Sequence, residues 1–141
     1  MSTTRPDRLE VGSALPSLTV RFTRERLVRY AGASTDFNPI HYSDHFAAKM
    51  DLPGVIAHGM LTMGAALRVV TDWLDDQGTI KSYFVRFTKP VVVPDDEAGA
   101  EVVFSASVVA ISGSLVTFAI DGLCDEQKVL GAARAEVDLG A

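Results

Sequence analysis

A single cysteine, Cys124, stands among the 141 residues. No internal disulfide can form, and no zinc site built on paired cysteines is available. Basic residues are scarce relative to acidic ones, 13 against 18, for a formal net charge of −5. Without a basic run the chain lacks the electrostatic footprint of a nucleic-acid binder. A membrane-length apolar run is missing as well. The most apolar stretch, Gly59 to Leu74, is interrupted by Thr62, Arg68, Thr71 and Asp72, which makes it too short and too polar to span a bilayer. Met1 to Val11 mixes charges with a proline and does not read as a signal peptide. There is no internal repeat, low-complexity tract or linker. What remains is a globular balance, 48% hydrophobic and 22% charged. It predicts one domain over residues 1–141, in a reducing, cytoplasmic setting, with neither nucleic acid nor membrane as partner.

Periodicity then sorts the chain into elements. Leu18 to Thr23 alternates as a strand. Thr23 is placed to cap a short helix over Arg24 to Ala31, and Ser43 to cap a second one through Met50. Between them Gly32 to His41 is dense in turn formers, and Pro39 stops any helix from running through. From Gly59 to Leu74 apolar residues cover nearly the whole helical circumference, which predicts a helix buried on most sides. Ile80 to Val93, Glu101 to Ile111, Leu115 to Cys124 and, more loosely, Lys128 to Leu139 alternate as four strands. An antiparallel sheet wrapped around one central helix is the economical packing of these parts, an α+β fold of two layers. One helix face would still need cover in a chain this short, so a dimer is expected.

The three histidines all fall between residues 41 and 58. Asp36 and His41 are separated by Phe37-Asn38-Pro39-Ile40, a proline-stiffened loop able to turn both side chains into one cleft, with Asn38 free to orient a ligand or water. A carboxylate and an imidazole sharing a water are the usual pieces of general acid–base catalysis. Spacing alone favours a structural pair, with Asp36 capping the loop and His41 partly buried. His58-Gly59 precedes the long helix. Its backbone N–H groups and the positive dipole end would stabilise an oxyanion, or the glycine merely eases entry to the helix while His58 caps or packs. A metal set of His41, His45 and His58 is a further option, weakened because His41 lies outside the helix that Ser43 starts. Arg86 and Lys89 could meet a phosphate or simply face solvent.

Tyr30-Ala31-Gly32-Ala33-Ser34-Thr35-Asp36-Phe37-Asn38-Pro39-Ile40-His41, followed by Phe46-Ala47-Ala48, resembles the signature of MaoC-like (R)-specific enoyl-thioester hydratases and dehydratases. Ala57-His58-Gly59-Met60-Leu61-Thr62-Met63-Gly64 resembles that family's second motif, and Tyr83 to Val91 its following strand. The chain departs from the pattern at Thr35, where many members carry glycine.

The resemblance implies a single hot dog fold and reversible hydration of trans-2-enoyl thioesters of CoA or acyl carrier protein to (3R)-3-hydroxyacyl thioesters. Asp36 and His41 match the catalytic acid–base pair, and Gly59 the glycine whose N–H binds the thioester carbonyl. Asn38 and His58 join Gly59 in holding substrate or water. Neither metal nor other cofactor is needed, because no hydride moves and the thioester already acidifies C2. A homodimer, or a heterodimer with a related hot dog subunit, is implied. The alternatives are a hot dog thioesterase, or a non-catalytic acyl-binding subunit whose partner supplies the acid and base.

Overall fold

Alternating side chains decide where this chain becomes sheet. The computed structural model describes residues 8–75 and 77–140, so both ends of the expected 1–141 domain and Asp76 lie outside the described residues. Six strands form: β1 (Leu18–Phe22), β2 (Thr79–Phe87), β3 (Ala100–Ser112), β4 (Leu115–Cys124), β5 (Gln127–Lys128) and β6 (Leu130–Asp138). They pair antiparallel in the order β1-β3-β4-β6-β2, with the short β5 against β4. On β3, Val102, Phe104, Ala106 and Val108 are buried while Glu101, Val103 and Ser105 are exposed. This two-residue period turns one face of the sheet to the core.

Three helices accompany the sheet: α1 (Arg24–Ser34), α2 (Asp44–Lys49) and α3 (Gly59–Leu74), with a 3₁₀ turn over Pro39–His41. The Thr23 side chain accepts from the Arg26 N–H, and that of Ser43 from the Phe46 N–H, so both expected caps are in place. Helix α3 has the expected bounds and lies against β1, β3 and β4. Ala65, Ala66, Val69 and Val70 turn small side chains to the sheet, which lets helix and strands approach closely, and Trp73 meets Phe118 edge-on at 6.0 Å. The architecture is the expected hot dog arrangement of antiparallel sheet and central helix. Among the described residues no helix is long and apolar enough to cross a membrane.

One expectation gains detail and two are corrected. Helix α3 is covered on most sides, as expected, and the face left without cover is a narrow one. Met60, Gly64, Arg68 and Asp72 form an exposed i, i+4 stripe, and Arg68 pairs with Asp72 at 3.1 Å. The strand expected over Ile80 to Val93 ends at Phe87, since Pro90 has no N–H to give a ladder. Its last residues pair elsewhere, through a bridge between Val92 and Ile56. Finally, β5 adds a fifth strand after the helix.

Two glycines with positive φ separate backbone strain from crowding. Gly113, φ +61, has open space where a Cβ would stand, whereas at Gly99, φ +62, a Cβ would run into the Phe22 carbonyl oxygen. Gly113→Ala is expected to cost about 1 kcal/mol, the left-handed penalty alone. Gly99→Ala should cost at least about twice as much, since β1 must also shift. Urea unfolding of both variants beside wild type measures the difference, and equal losses would contradict it.

Candidate active site

The site begins with a short antiparallel pairing. Ala57 N–H donates to the Val91 carbonyl at 2.9 Å and Val93 N–H to the Val55 carbonyl at 2.8 Å. In such a ladder the residue between, Ile56, points its own N–H and C=O to the opposite side. There they meet the 3₁₀ turn. Ile56 N–H donates to the Ile40 carbonyl at 3.2 Å, and the Ile56 carbonyl accepts from His41 Nδ1 at 2.7 Å. A carbonyl can only accept, so Nδ1 carries the proton and neutral His41 presents a bare Nε2.

Opposite it, α1 ends in a left-handed residue, Thr35 (φ 60, ψ 17). This conformation explains why glycine is favoured at the position: a β-branched residue there is strained by about 1–2 kcal/mol. The loop that follows is stitched by side chains reaching two residues ahead. Asp36 N–H donates to Ser34 Oγ, Asn38 N–H to Asp36 Oδ1, and Ile40 N–H to Asn38 Oδ1, each at 3.2 Å. Such turns are what Ser, Asp and Asn form readily. With Oδ1 engaged, Asp36 turns Oδ2 toward His41 Nε2 at 3.9 Å. That gap is too long for a direct hydrogen bond and suits one water donating to both acceptors.

His58 lies beneath this pair, 1% exposed. Its Nε2 is 3.2 Å from the Asp36 main-chain carbonyl and so carries the proton. Its ring stacks on His41 with centroids 3.8 Å apart, and Tyr30 meets it edge-on at 4.7 Å. Among the described residues its Nδ1 has no hydrogen-bond partner. Burial, then the charge of a protonated His41, push the His58 pKa below its ordinary 6.5, against the weaker opposing pull of the Asp36 carbonyl and carboxylate.

A cavity of about 380 Å³ opens beside the pair, lined by His41, Gly59, Thr62, Ile56, Phe87 and Lys89 among others. Gly59 is the first residue of α3, where the leading N–H groups have no partner within the helix, and His58 supplies no side-chain cap. The Phe87 ring lies 3.1 Å from where a Gly59 Cβ would stand, so the missing side chain keeps this end of the cavity open. A second cavity of about 370 Å³ shares Ile40 and Ile56 with the first and extends past Phe46, Met50 and Leu52.

Asp36, His41, His58 and Gly59 therefore come together. Asn38 borders the second cavity and spends its side-chain oxygen on Ile40. Lys89 lines the first cavity; Arg86 is not among its lining residues. His45 is exposed on α2. Among the described residues, the side chains close enough to share a metal ion are Asp36, His41 and His58, with ligand atoms within 4.8 Å of one another. His58 would have to release the Asp36 carbonyl or use its buried Nδ1. Sequence reasoning missed Ile56 and Thr62. Thr62, four residues after His58, could have been found from helical spacing, whereas a backbone acceptor such as Ile56 leaves no signal.

Residues 10–119 match the family model described as MaoC like domain. Over 79 residues the chain is 39% identical to 3-hydroxyacyl-thioester dehydratase X of Mycobacterium tuberculosis, a match covering 56% of this chain and 27% of that protein. The chain thus spans about a quarter of that relative's length. Among solved structures it resembles a MaoC-like dehydratase with a TM-score of 0.90 and 33% identity, over 95% of this chain and 42% of the other. It also resembles an (R)-hydratase from A. caviae involved in PHA biosynthesis, with a TM-score of 0.82 and 25% identity, over 95% of this chain and 99% of the other.

The depressed pKa of His58 has a sign in stability. Its contribution is fully present above pH 6.5, and as pH falls below that value the unfolded chain binds a proton the folded chain resists. Wild type should therefore lose stability between pH 7 and pH 5 faster than His58→Gln, which cannot titrate. Thermal unfolding at both pH values checks this, and parallel losses would exclude His58 as the titrating group.

Proposed function

The chain belongs to the MaoC-like domain family, and on that premise we propose that it catalyses reversible addition of water to trans-2-enoyl thioesters, giving (3R)-3-hydroxyacyl thioesters. One observation carries the reading: two proton acceptors, Asp36 Oδ2 and His41 Nε2, face each other at 3.9 Å beside a cavity that also reaches the start of α3. The dehydratase and (R)-hydratase names of its relatives support the same chemistry.

In this mechanism a water donates its two protons to Oδ2 and Nε2, which leaves an oxygen lone pair free to attack. The thioester carbonyl accepts from the Gly59 N–H, and the dipole of α3 stabilises the negative charge that develops on the carbonyl oxygen. As the water oxygen bonds to C3, one of its protons passes to the Asp36/His41 pair, and the pair delivers a proton to C2 of the enolate-like species. Two coupled groups act here as one unit. His41 enters with Nε2 bare because the Ile56 carbonyl holds its other proton.

The reading takes residues 1–141 as one hot dog domain working in the cytoplasm. Its substrate carrier is coenzyme A or acyl carrier protein, with Lys89 at the cavity available to an anionic group of the carrier. A dimer fits the edge position of β2 in the sheet and its exposed aromatics, Phe84 and Phe87. The second subunit would be a copy of this chain or a related hot dog chain.

Crotonyl-CoA added to the full chain should lose its enoyl absorbance and give the (3R) product. Asp36→Asn and His41→Ala should each lower kcat by about 10²–10⁴-fold, the usual worth of a positioned acid or base. Gly59→Ala should lower kcat/KM with little change in thermal stability, since alanine suits a first helical turn and the half-exposed Phe87 can yield. Wild-type inactivity on enoyl-CoA and enoyl-ACP of several chain lengths, with a related subunit supplied, would sink the reading.

A further inference from the structure

His58 is buried in a way that asks for a reason. Its Nδ1 is without a partner among the described residues, and a buried acceptor left unpaired is costly. An apolar side chain would carry no such cost, so the stabilising contacts of His58 lie on its other atoms. Nε2–H holds the main-chain carbonyl of Asp36 at 3.2 Å, and the ring face lies on His41 at 3.8 Å with the planes 22° apart. The base of the residue is fixed as well, since Thr62 Oγ1 and the Thr62 N–H both donate to the His58 carbonyl. Tyr30 closes the remaining ring edge. With 1% of its surface exposed, His58 is covered by these neighbours and offers a bound thioester no face.

We infer that His58 is the positioning residue of the Asp36/His41 pair, holding Asp36 through its backbone and His41 through its ring, without touching substrate. Resting on the reading of the site as a hydratase, this moves His58 out of the substrate-binding set expected from sequence. One imidazole bridges the two halves of the pair. Asp36 is anchored at the carbonyl next to its side chain, and His41 is kept in a plane that aims Nε2 at Oδ2. Ile56 fixes the far end of the loop at Ile40 and His41, and His58 adds a hold at the Asp36 end beside the two-residue turns of Ser34, Asp36 and Asn38.

The test separates the two contacts. Gln places an N–H donor near the position of Nε2, Phe keeps the ring face without the donor, and both are compared with wild type in the full-length chain. On crotonyl-CoA, His58→Phe should lower kcat by about 100-fold, the scale of an ångström of misplacement, while KM moves by less than about threefold. His58→Gln should recover most of the loss. Nitrogen-15 NMR of the histidine rings supplies a readout independent of turnover. Wild type should show His58 as the Nε2–H tautomer and His41 as the Nδ1–H tautomer, and His41 should keep that signal in both variants because the Ile56 carbonyl still holds its proton. The inference is overturned by His58 appearing as Nδ1–H or as the cation at neutral pH, or by equal kcat in wild type and both variants. An inactive wild type with the expected tautomers would count against the hydratase reading and leave the brace standing. Should His58→Phe fail to fold, the wild-type tautomers and the His58→Gln kinetics still decide.

Discussion

The peptide group of Ile56 is the constraint on which the site depends. Pairing with Val92 takes up the neighbouring groups at residues 55 and 57, which forces the N–H and C=O of Ile56 outward toward residues 40 and 41. Because the carbonyl can only accept, it decides where the proton of His41 sits and so which nitrogen is left as a base. The protonation state of His41 follows from one strand pairing that spans the length of α3 and β2, and the plane of its ring is shared with the stack on His58. A loop histidine alone would have none of these settled.

Around that clamp the structure holds tension on the opposite wall. Thr35 occupies a left-handed backbone conformation that costs a β-branched residue free energy, immediately before Asp36. Ser34, Asp36 and Asn38 hold the strained segment with a run of short side-chain bonds. Strain in a loop so constrained is kept in place, and here it directs a carboxylate oxygen at an imidazole.

Much of this was legible beforehand. The bounds of α3, the caps at Thr23 and Ser43, and the proximity of Asp36 to His41 followed from periodicity, cap chemistry and a proline-stiffened loop. The illegible parts have physical causes. Periodicity reports how apolar a helix is and not what covers it, so an uncovered face was expected but its residues, Met60, Gly64, Arg68 and Asp72, were not named. Alternation continued through Val91 to Val93 because those residues are buried and paired, but with Val55 to Ala57 rather than the main sheet. The bonds of Ile56 are made by backbone atoms, which every residue carries, so no side-chain pattern announces them. His58 was visible as a residue; only three-dimensional stacking turns it away from the cavity and under the pair.

Ile40 and Ile56 form the shared wall between the two cavities, yet both hold the acid–base frame through main-chain atoms alone. Shape and chemistry are thereby uncoupled at these two positions. Their side chains can be trimmed or enlarged, merging the two chambers or sealing one from the other, while the frame stays where it is. A lineage could re-cut the room offered to an acyl tail there by ordinary apolar exchanges, without renegotiating how the proton moves.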